Sequence, residues 1–146
     1  NIEKNGAFQY EILASDIYTK ALTHAASAIY REDRIVDIPN NFRRKYLLKS
    51  KKTENGLVKI VPELRRKISY KQLNLMDADY KLDSLQDIIF CRNVLIYFDK
   101  PTQKNVVQKL IRYLRPGGYL FIGHSESLFE MGLPLKQLMP ATFQKI

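Results

Sequence analysis

Residues 87–91 read DIIFC, a continuous apolar run followed at once by Arg92 and Asn93. The run is too short for a buried helix and shows no polar alternation, so it predicts a strand covered on both faces. Sheets made of such strands need helices packed against them, and the flanking sequence supplies these. Residues 10–16 (YEILASD) form another apolar run that ends in an acid, and residues 19–30 follow with Leu22, Ala25, Ala26 and Ile29 at helical spacing. Residues 68–76 return the chain to apolar positions. After Asp99, with Pro101 in the first turn, Val106, Val107, Leu110, Ile111 and Leu114 mark one face of a helix that Pro116-Gly117-Gly118 should stop. Residues 119–123 (YLFIG) predict the next strand, and residues 143–146 a closing one. Strands alternating with helices imply an α/β fold with a mostly parallel sheet. A length of 146 residues suits one domain over residues 1–146.

Residues 39–70 break the alternation. Pro39, Asn40 and Asn41 open the segment, Asn55-Gly56 is a turn signal, and Val58, Ile60, Leu64, Ile68 and Tyr70 sit in short runs among basic residues. The pattern predicts a small inserted antiparallel β subdomain. It carries ten Lys or Arg against Glu54 and Glu63, and so most of the chain's net charge of +9. A basic block of this kind suits an acidic partner, whether nucleic acid, anionic lipid or an acidic protein surface; a solvated loop face is the alternative.

The apolar stretches fall far short of the roughly 20 residues that a membrane-spanning helix needs. Residue 1 is Asn and residues 1–6 lack a signal-peptide pattern, so the sequence reads as starting inside a longer protein. Cys91 is the single cysteine, which excludes an internal disulfide and fits a reducing cytoplasm.

Ligands of open α/β sheets bind beyond the carboxyl ends of the strands, and the chemically suggestive residues fall there. Asp16 ends its strand just before a helix, where a carboxylate can accept hydrogen bonds from two ribose hydroxyls; the alternative is a helix cap. Asn74-Leu75 pairs an amide that can read an adenine edge with an apolar neighbour that can cover its face. Arg92 and Asn93, polar groups next to a buried strand, need partners or a ligand. Tyr97 can direct its hydroxyl to the same cleft or pack as an ordinary aromatic. Adjacent His124, Ser125 and Glu126 cannot converge as a hydrolytic triad does, and Cys91 in an apolar strand reads as packed.

Several segments together carry a specific resemblance: FCRNVLIYFDK at 90–100, RPGG at 115–118, YLFIGHSES at 119–127, ASDI at 14–17, GLVKIVPELRRKISY at 56–70 and LNLM at 73–76. In order and spacing they are similar to the CheR-type chemotaxis receptor methyltransferases. The resemblance implies a Rossmann-like class I sheet with an inserted antiparallel subdomain. It implies methyl transfer from S-adenosylmethionine to chemoreceptor glutamates without a metal, giving S-adenosylhomocysteine. It also implies that Asp16, Ile17, Asn74, Leu75, Arg92 and Asn93 bind the cofactor and that Tyr97 lies near the transferred methyl. A chemoreceptor cytoplasmic domain or tail would dock on the β subdomain by strand addition, with Arg65, Arg66 and Lys67 as receptor contacts. Nucleic acid and membrane insertion are not expected.

Two departures follow from the same resemblance. The family's glycine-rich loop and first strand are missing, as are its N-terminal helical domain and the arginine this brings to the methyl donor. In the class I strand order 3-2-1-4-5-7-6 the sheet would be cut at its centre, so the chain is expected to be a fragment, inactive alone, that needs the missing N-terminal part of its own chain. A non-catalytic receptor- or nucleotide-binding module and a nucleic-acid methyltransferase are the competing readings.

Overall fold

The computed structural model describes residues 9–50, 56–128 and 131–146. They form two compact units, Asn1–Asn74 and Leu75–Ile146.

In the first unit β1 (Ile12–Asp16) runs parallel to β5 (Ile68–Gln72), with Ile12 opposite Ile68 and Asp16 opposite Gln72. Parallel strands need a crossover, and here it contains α1 (Thr19–Ser27) and a three-stranded antiparallel sheet. That sheet has the order β2-β4-β3, from β2 (Ile29–Arg31), β3 (Leu47–Lys49) and β4 (Leu57–Ile60), with Val58 at its core, 1% exposed. Between β2 and β3 lies α2 (Asn40–Tyr46), and α3 (Pro62–Arg65) leads into β5. The Tyr70 hydroxyl donates to the Ala25 carbonyl at 3.1 Å, tying β5 to α1.

The helix expected over 19–30 ends earlier. Ala28 turns left-handed at φ 54°, and Ile29–Arg31 leaves the helical period to pair with β4. Cross-strand pairing outweighs the apolar spacing of Ile29. The antiparallel region therefore starts before residue 39, and residues 68–70 belong to the parallel pair. Of the Asn55-Gly56 turn, Asn55 lies outside the described residues, as do Lys51, Lys52 and Glu54; Gly56 has φ +49°.

In the second unit the order is β6-β7-β9-β8, from β6 (Gln86–Cys91), β7 (Leu114–Ile122), β8 (Leu135–Met139) and β9 (Thr142–Lys145). Only β6 and β7 are parallel; β9 is antiparallel to both β7 and β8. This sheet is mixed rather than mostly parallel, because β9 pairs antiparallel with both β7 and β8, and β8 (LKQLM), short and with Lys136 and Gln137 inside it, gives a weak sequence signal. Between β6 and β7 runs α4 (Lys100–Arg112), started by Asp99, whose Oδ1 accepts the Thr102 amide at 2.9 Å. It buries Val106, Val107, Leu110 and Ile111, as the spacing predicts, whereas Leu114, read on the same helical face, lies beyond the end of the helix and opens β7.

The helix stops before the Pro-Gly-Gly signal, where Lys145 Nζ donates to the carbonyls of Ile111 and Leu114 at 2.7 and 2.6 Å. Residues 115–118 then bulge out between the pairs Gln86/Leu114 and Ile88/Tyr119. β6 is also not covered on both faces: Ile88 and Phe90, two apart and so on one face, are 49% and 69% exposed. No helix among the described residues is long and apolar enough to cross a membrane.

Candidate functional site

Each parallel pair presents its carboxyl end to a segment that the sequence singled out. In the first unit the Leu73 amide donates to the Asp16 carbonyl at 3.0 Å, and Gln72 Nε2 donates to the Ile17 carbonyl at 3.1 Å. These bonds fasten the chain leaving β1 to the end of β5. Asp16 Oδ1 accepts the Tyr18 amide at 2.8 Å, and Oδ2 has no partner among the described residues. Asp16 is therefore not the helix cap of the alternative reading; that position belongs to Tyr18, whose side chain makes no capping bond. Ile17 is 59% exposed, and Asn74, two residues past β5, is half-buried.

In the second unit β6 delivers the chain to Arg92 and Asn93, both exposed, with Asn93 in the left-handed region at φ 59°. A short 3-10 turn, Leu95–Tyr97, follows. Leu95 is 1% exposed and fixes the turn from below, while Gln103 Nε2 donates to the carbonyls of Leu95 and Phe98 at 3.0 and 2.9 Å. Tyr97 stands out at 79% exposure, so it is not a core aromatic.

Glu126, in the segment after β7, reaches this turn. Its Oε1 accepts the amides of Leu95 and Ile96 at 2.8 and 3.3 Å, and its Oε2 those of Asn93 and Gly123 at 3.3 and 2.5 Å. A Cβ on Gly123 would lie 2.6 Å from Asn93 Oδ1, 2.8 Å from Glu126 Oε2 and 3.0 Å from the Asn93 amide nitrogen, so a side chain there would force its neighbours to shift. The ends of β6 and β7 are thus locked together with Asn93 between them.

Leu75 has its own support. Its carbonyl accepts from Lys109 Nζ at 2.6 Å and from the Tyr80 hydroxyl at 3.1 Å. Lys109, 5% exposed, also donates to the Asp77 carbonyl at 2.6 Å and lies 5.2 Å from the centre of the Tyr80 ring. The Tyr113 hydroxyl donates to Asp79, which holds that carboxyl below its usual range. Burial raises the Tyr80 hydroxyl above its usual pKa, helped by the charges of Cys91 and Asp77. Burial, then the Glu126 carboxylate, push the Cys91 thiol up to about 12, so it stays protonated near neutral pH and packs rather than attacks.

The three basic residues read as receptor contacts lie past the antiparallel sheet. Arg65 ends α3, half-buried, its Nε enclosed without a hydrogen-bond partner among the described residues. Arg66 is exposed; Lys67 donates to Gln9 Oε1 at 3.3 Å and sits 5.6 Å from the Tyr10 ring centre. Among the described residues no three His, Cys, Asp or Glu side chains group to hold a metal ion.

Sequence reasoning missed Glu126, Gly123, Gln103 and Lys109. The first two lie in the YLFIGHSES run, which carries the family resemblance but assigns no role to either residue. Lys109 carried no signal, being a charged residue inside an apolar helical face.

The family model described as CheR methyltransferase, SAM binding domain, matches residues 1–142. A chemotaxis protein methyltransferase of Borreliella burgdorferi is 39% identical over 94% of this chain and 47% of its own length. Chemotaxis protein methyltransferase 2 of Pseudomonas aeruginosa is 38% identical over 86% and 46%, and the chemotaxis protein methyltransferase of Escherichia coli 36% identical over 84% and 43%. The chain spans about half the length of the curated relatives it matches.

Proposed function

Since this chain belongs to the CheR methyltransferase family, we propose that it is the cofactor-binding part of a protein-glutamate O-methyltransferase acting on bacterial chemoreceptors in the cytoplasm. The observation that carries the reading is the family match over residues 1–142, with relatives named for chemotaxis methylation.

The finer fold is that of a class I methyltransferase. The orders β5-β1 and β6-β7-β9-β8 read as strands 3-2 and 4-5-7-6 of that arrangement. Among the described residues, β1 pairs with β5 alone and β6 with β7 alone.

The residues present fit S-adenosylmethionine. Asp16 offers an exposed carboxylate whose Oδ2 is open and whose Oδ1, holding one amide, keeps a second lone pair, enough to accept from the two hydroxyls of a ribose, and Ile17 adds apolar surface beside it. Asn74 and Leu75 pair an amide with an apolar side chain, as an adenine requires. Exposed Arg92 and Asn93 would flank the cofactor, and exposed Tyr97 would meet the acceptor. The cofactor, when bound, supplies an electrophilic methyl group to an acceptor carboxylate oxygen and departs as S-adenosylhomocysteine.

A glutamate is already anionic at neutral pH, so the protein needs no strong base. The protein's task is positioning, for which orientation supplies about 7–11 kcal/mol in favourable intramolecular cases. The Tyr97 hydroxyl would orient the acceptor carboxylate by donating a hydrogen bond to it, without competing as a nucleophile.

In the whole protein, Asp16→Ala and Asn93→Ala are each expected to weaken S-adenosylmethionine binding about 10- to 100-fold, the worth of a hydrogen bond to a charged group, with the fold retained. Calorimetric titration checks this, and wild-type affinity in either variant removes that residue from the site. Replacing Arg65, Arg66 and Lys67 together by Ala is expected to weaken receptor binding, flatten its salt dependence and leave cofactor affinity unchanged. Equal losses of cofactor and receptor would assign these residues to the fold. Tight binding of the whole protein to duplex DNA would favour a nucleic-acid substrate instead.

A further inference from the structure

We infer that Glu126 is a positioning residue, one that sets the place of Asn93 and Tyr97 through the backbone and touches neither cofactor nor substrate; this rests on the methyltransferase reading above. An ionised carboxylate has about four lone-pair sites, and in Glu126 four backbone amides occupy them. Oε1 takes Leu95 and Ile96, Oε2 takes Asn93 and Gly123. With every site taken, the carboxylate is free neither to serve as a base nor to attack.

Three of the four amides belong to residues 93–96, the stretch joining the end of β6 to Tyr97, and the fourth belongs to the residue just after β7. Glu126 therefore sets the distance between two strand ends. It also holds Asn93 at φ 59°, a conformation that non-glycine residues seldom adopt without a local hydrogen bond. The far side of the same stretch is held by Gln103 and by buried Leu95. Exposed Asn93 and Tyr97 are thus carried on a rigid support, as a group that must meet a ligand within a fraction of an ångström requires.

A site beside an anionic acceptor ordinarily excludes a further carboxylate. Here four N–H dipoles offset the charge of Glu126, and charge-assisted bonds of this kind are about twice as strong as neutral ones. A glutamine in its place has one acceptor oxygen, and its NH2 group would face N–H donors. Half of the support would be lost with little change in volume.

The test uses the whole protein, with S-adenosylhomocysteine titration and methyl-transfer kinetics corrected to the folded fraction. Glu126→Gln is expected to lower kcat/KM about 100-fold, the cost of a displacement of about 1 Å at a reacting site. Glu126→Asp, which keeps the charge, should recover part of the loss and stay about tenfold below wild type; it serves alone if the glutamine variant does not fold. In the double variant Glu126→Gln with Asn93→Ala, the loss in cofactor affinity should fall short of the product of the single losses, because one acts through the other. Wild-type kinetics per folded molecule in Glu126→Gln or Glu126→Asp, or losses that multiply in full, would overturn the inference and leave Glu126 a fold residue. Failure of the wild-type protein to bind S-adenosylhomocysteine would instead sink the methyltransferase reading, and the inference with it.

Discussion

Gly123→Ala is expected to destabilise the unit Leu75–Ile146 by about 1–3 kcal/mol, the usual cost of inserting a methyl group into a filled space, and to weaken cofactor binding in the whole protein. The added Cβ would lie 2.6 Å from Asn93 Oδ1, 2.8 Å from Glu126 Oε2 and 3.0 Å from the Asn93 amide nitrogen. A side-chain oxygen can swing aside, but the amide nitrogen moves only with the chain that carries Arg92, Asn93 and Tyr97. Stability and affinity should therefore fall together. Denaturant titration and calorimetry on the same preparation check this. Lost stability with undiminished affinity would show that the strand ends relax without disturbing the site.

Lys109→Met should cost about 1–3 kcal/mol as well, for a different reason. Methionine fills a similar volume in the apolar face of α4 but leaves the Asp77 carbonyl without the donor it now has, and a stranded acceptor costs up to that amount, less where water reaches it, as at exposed Asp77. The Leu75 carbonyl keeps the Tyr80 hydroxyl, so only part of its support is lost. Urea unfolding of the variant measures the cost. Stability equal to or above wild type would mean that releasing a buried cation outweighs the stranded carbonyl, as happens when buried charges are replaced by apolar groups.

β1, β6 and the second half of β7 were legible because they are short apolar runs bounded by acids, Asn and Gly, and α4 because Val106, Val107, Leu110 and Ile111 recur at helical spacing after Asp99; β5 (ISYKQ) was not, since three of its five residues are polar and Ile68 and Tyr70 read as part of the antiparallel insertion. β2 was hidden inside the helical pattern of α1: Ile29 satisfies both periods, and only its pairing with Lys59 decides between them. β8 was hidden because it is short and two of its five residues, Lys136 and Gln137, are polar, which is what an outer strand allows. The exposed Ile88 and Phe90 contradict the expected double cover of β6, since a run of apolar residues shows that a strand is apolar without showing what lies against it.

At the site, residue type and position after a strand pointed to Asp16, Asn74, Leu75, Arg92 and Asn93. The Glu126 support was not legible, because it joins residues about thirty apart in sequence through backbone amides, which every residue possesses. Gly123 carried no signal for the same reason: the close approach that demands glycine comes from Asn93, a residue on another strand end.

Transfer of labelled methyl from S-adenosylmethionine to chemoreceptor by the whole protein tests the central claim most directly. A methyl ester on a glutamate carboxylate is cleaved by mild alkali, whereas methyl groups on nitrogen or carbon are not. The account predicts label on the receptor that alkali releases as methanol, with transfer abolished or strongly reduced by Asn93→Ala. Label that survives alkali, label on nucleic acid in place of receptor, or no transfer by a protein that binds the cofactor would contradict it.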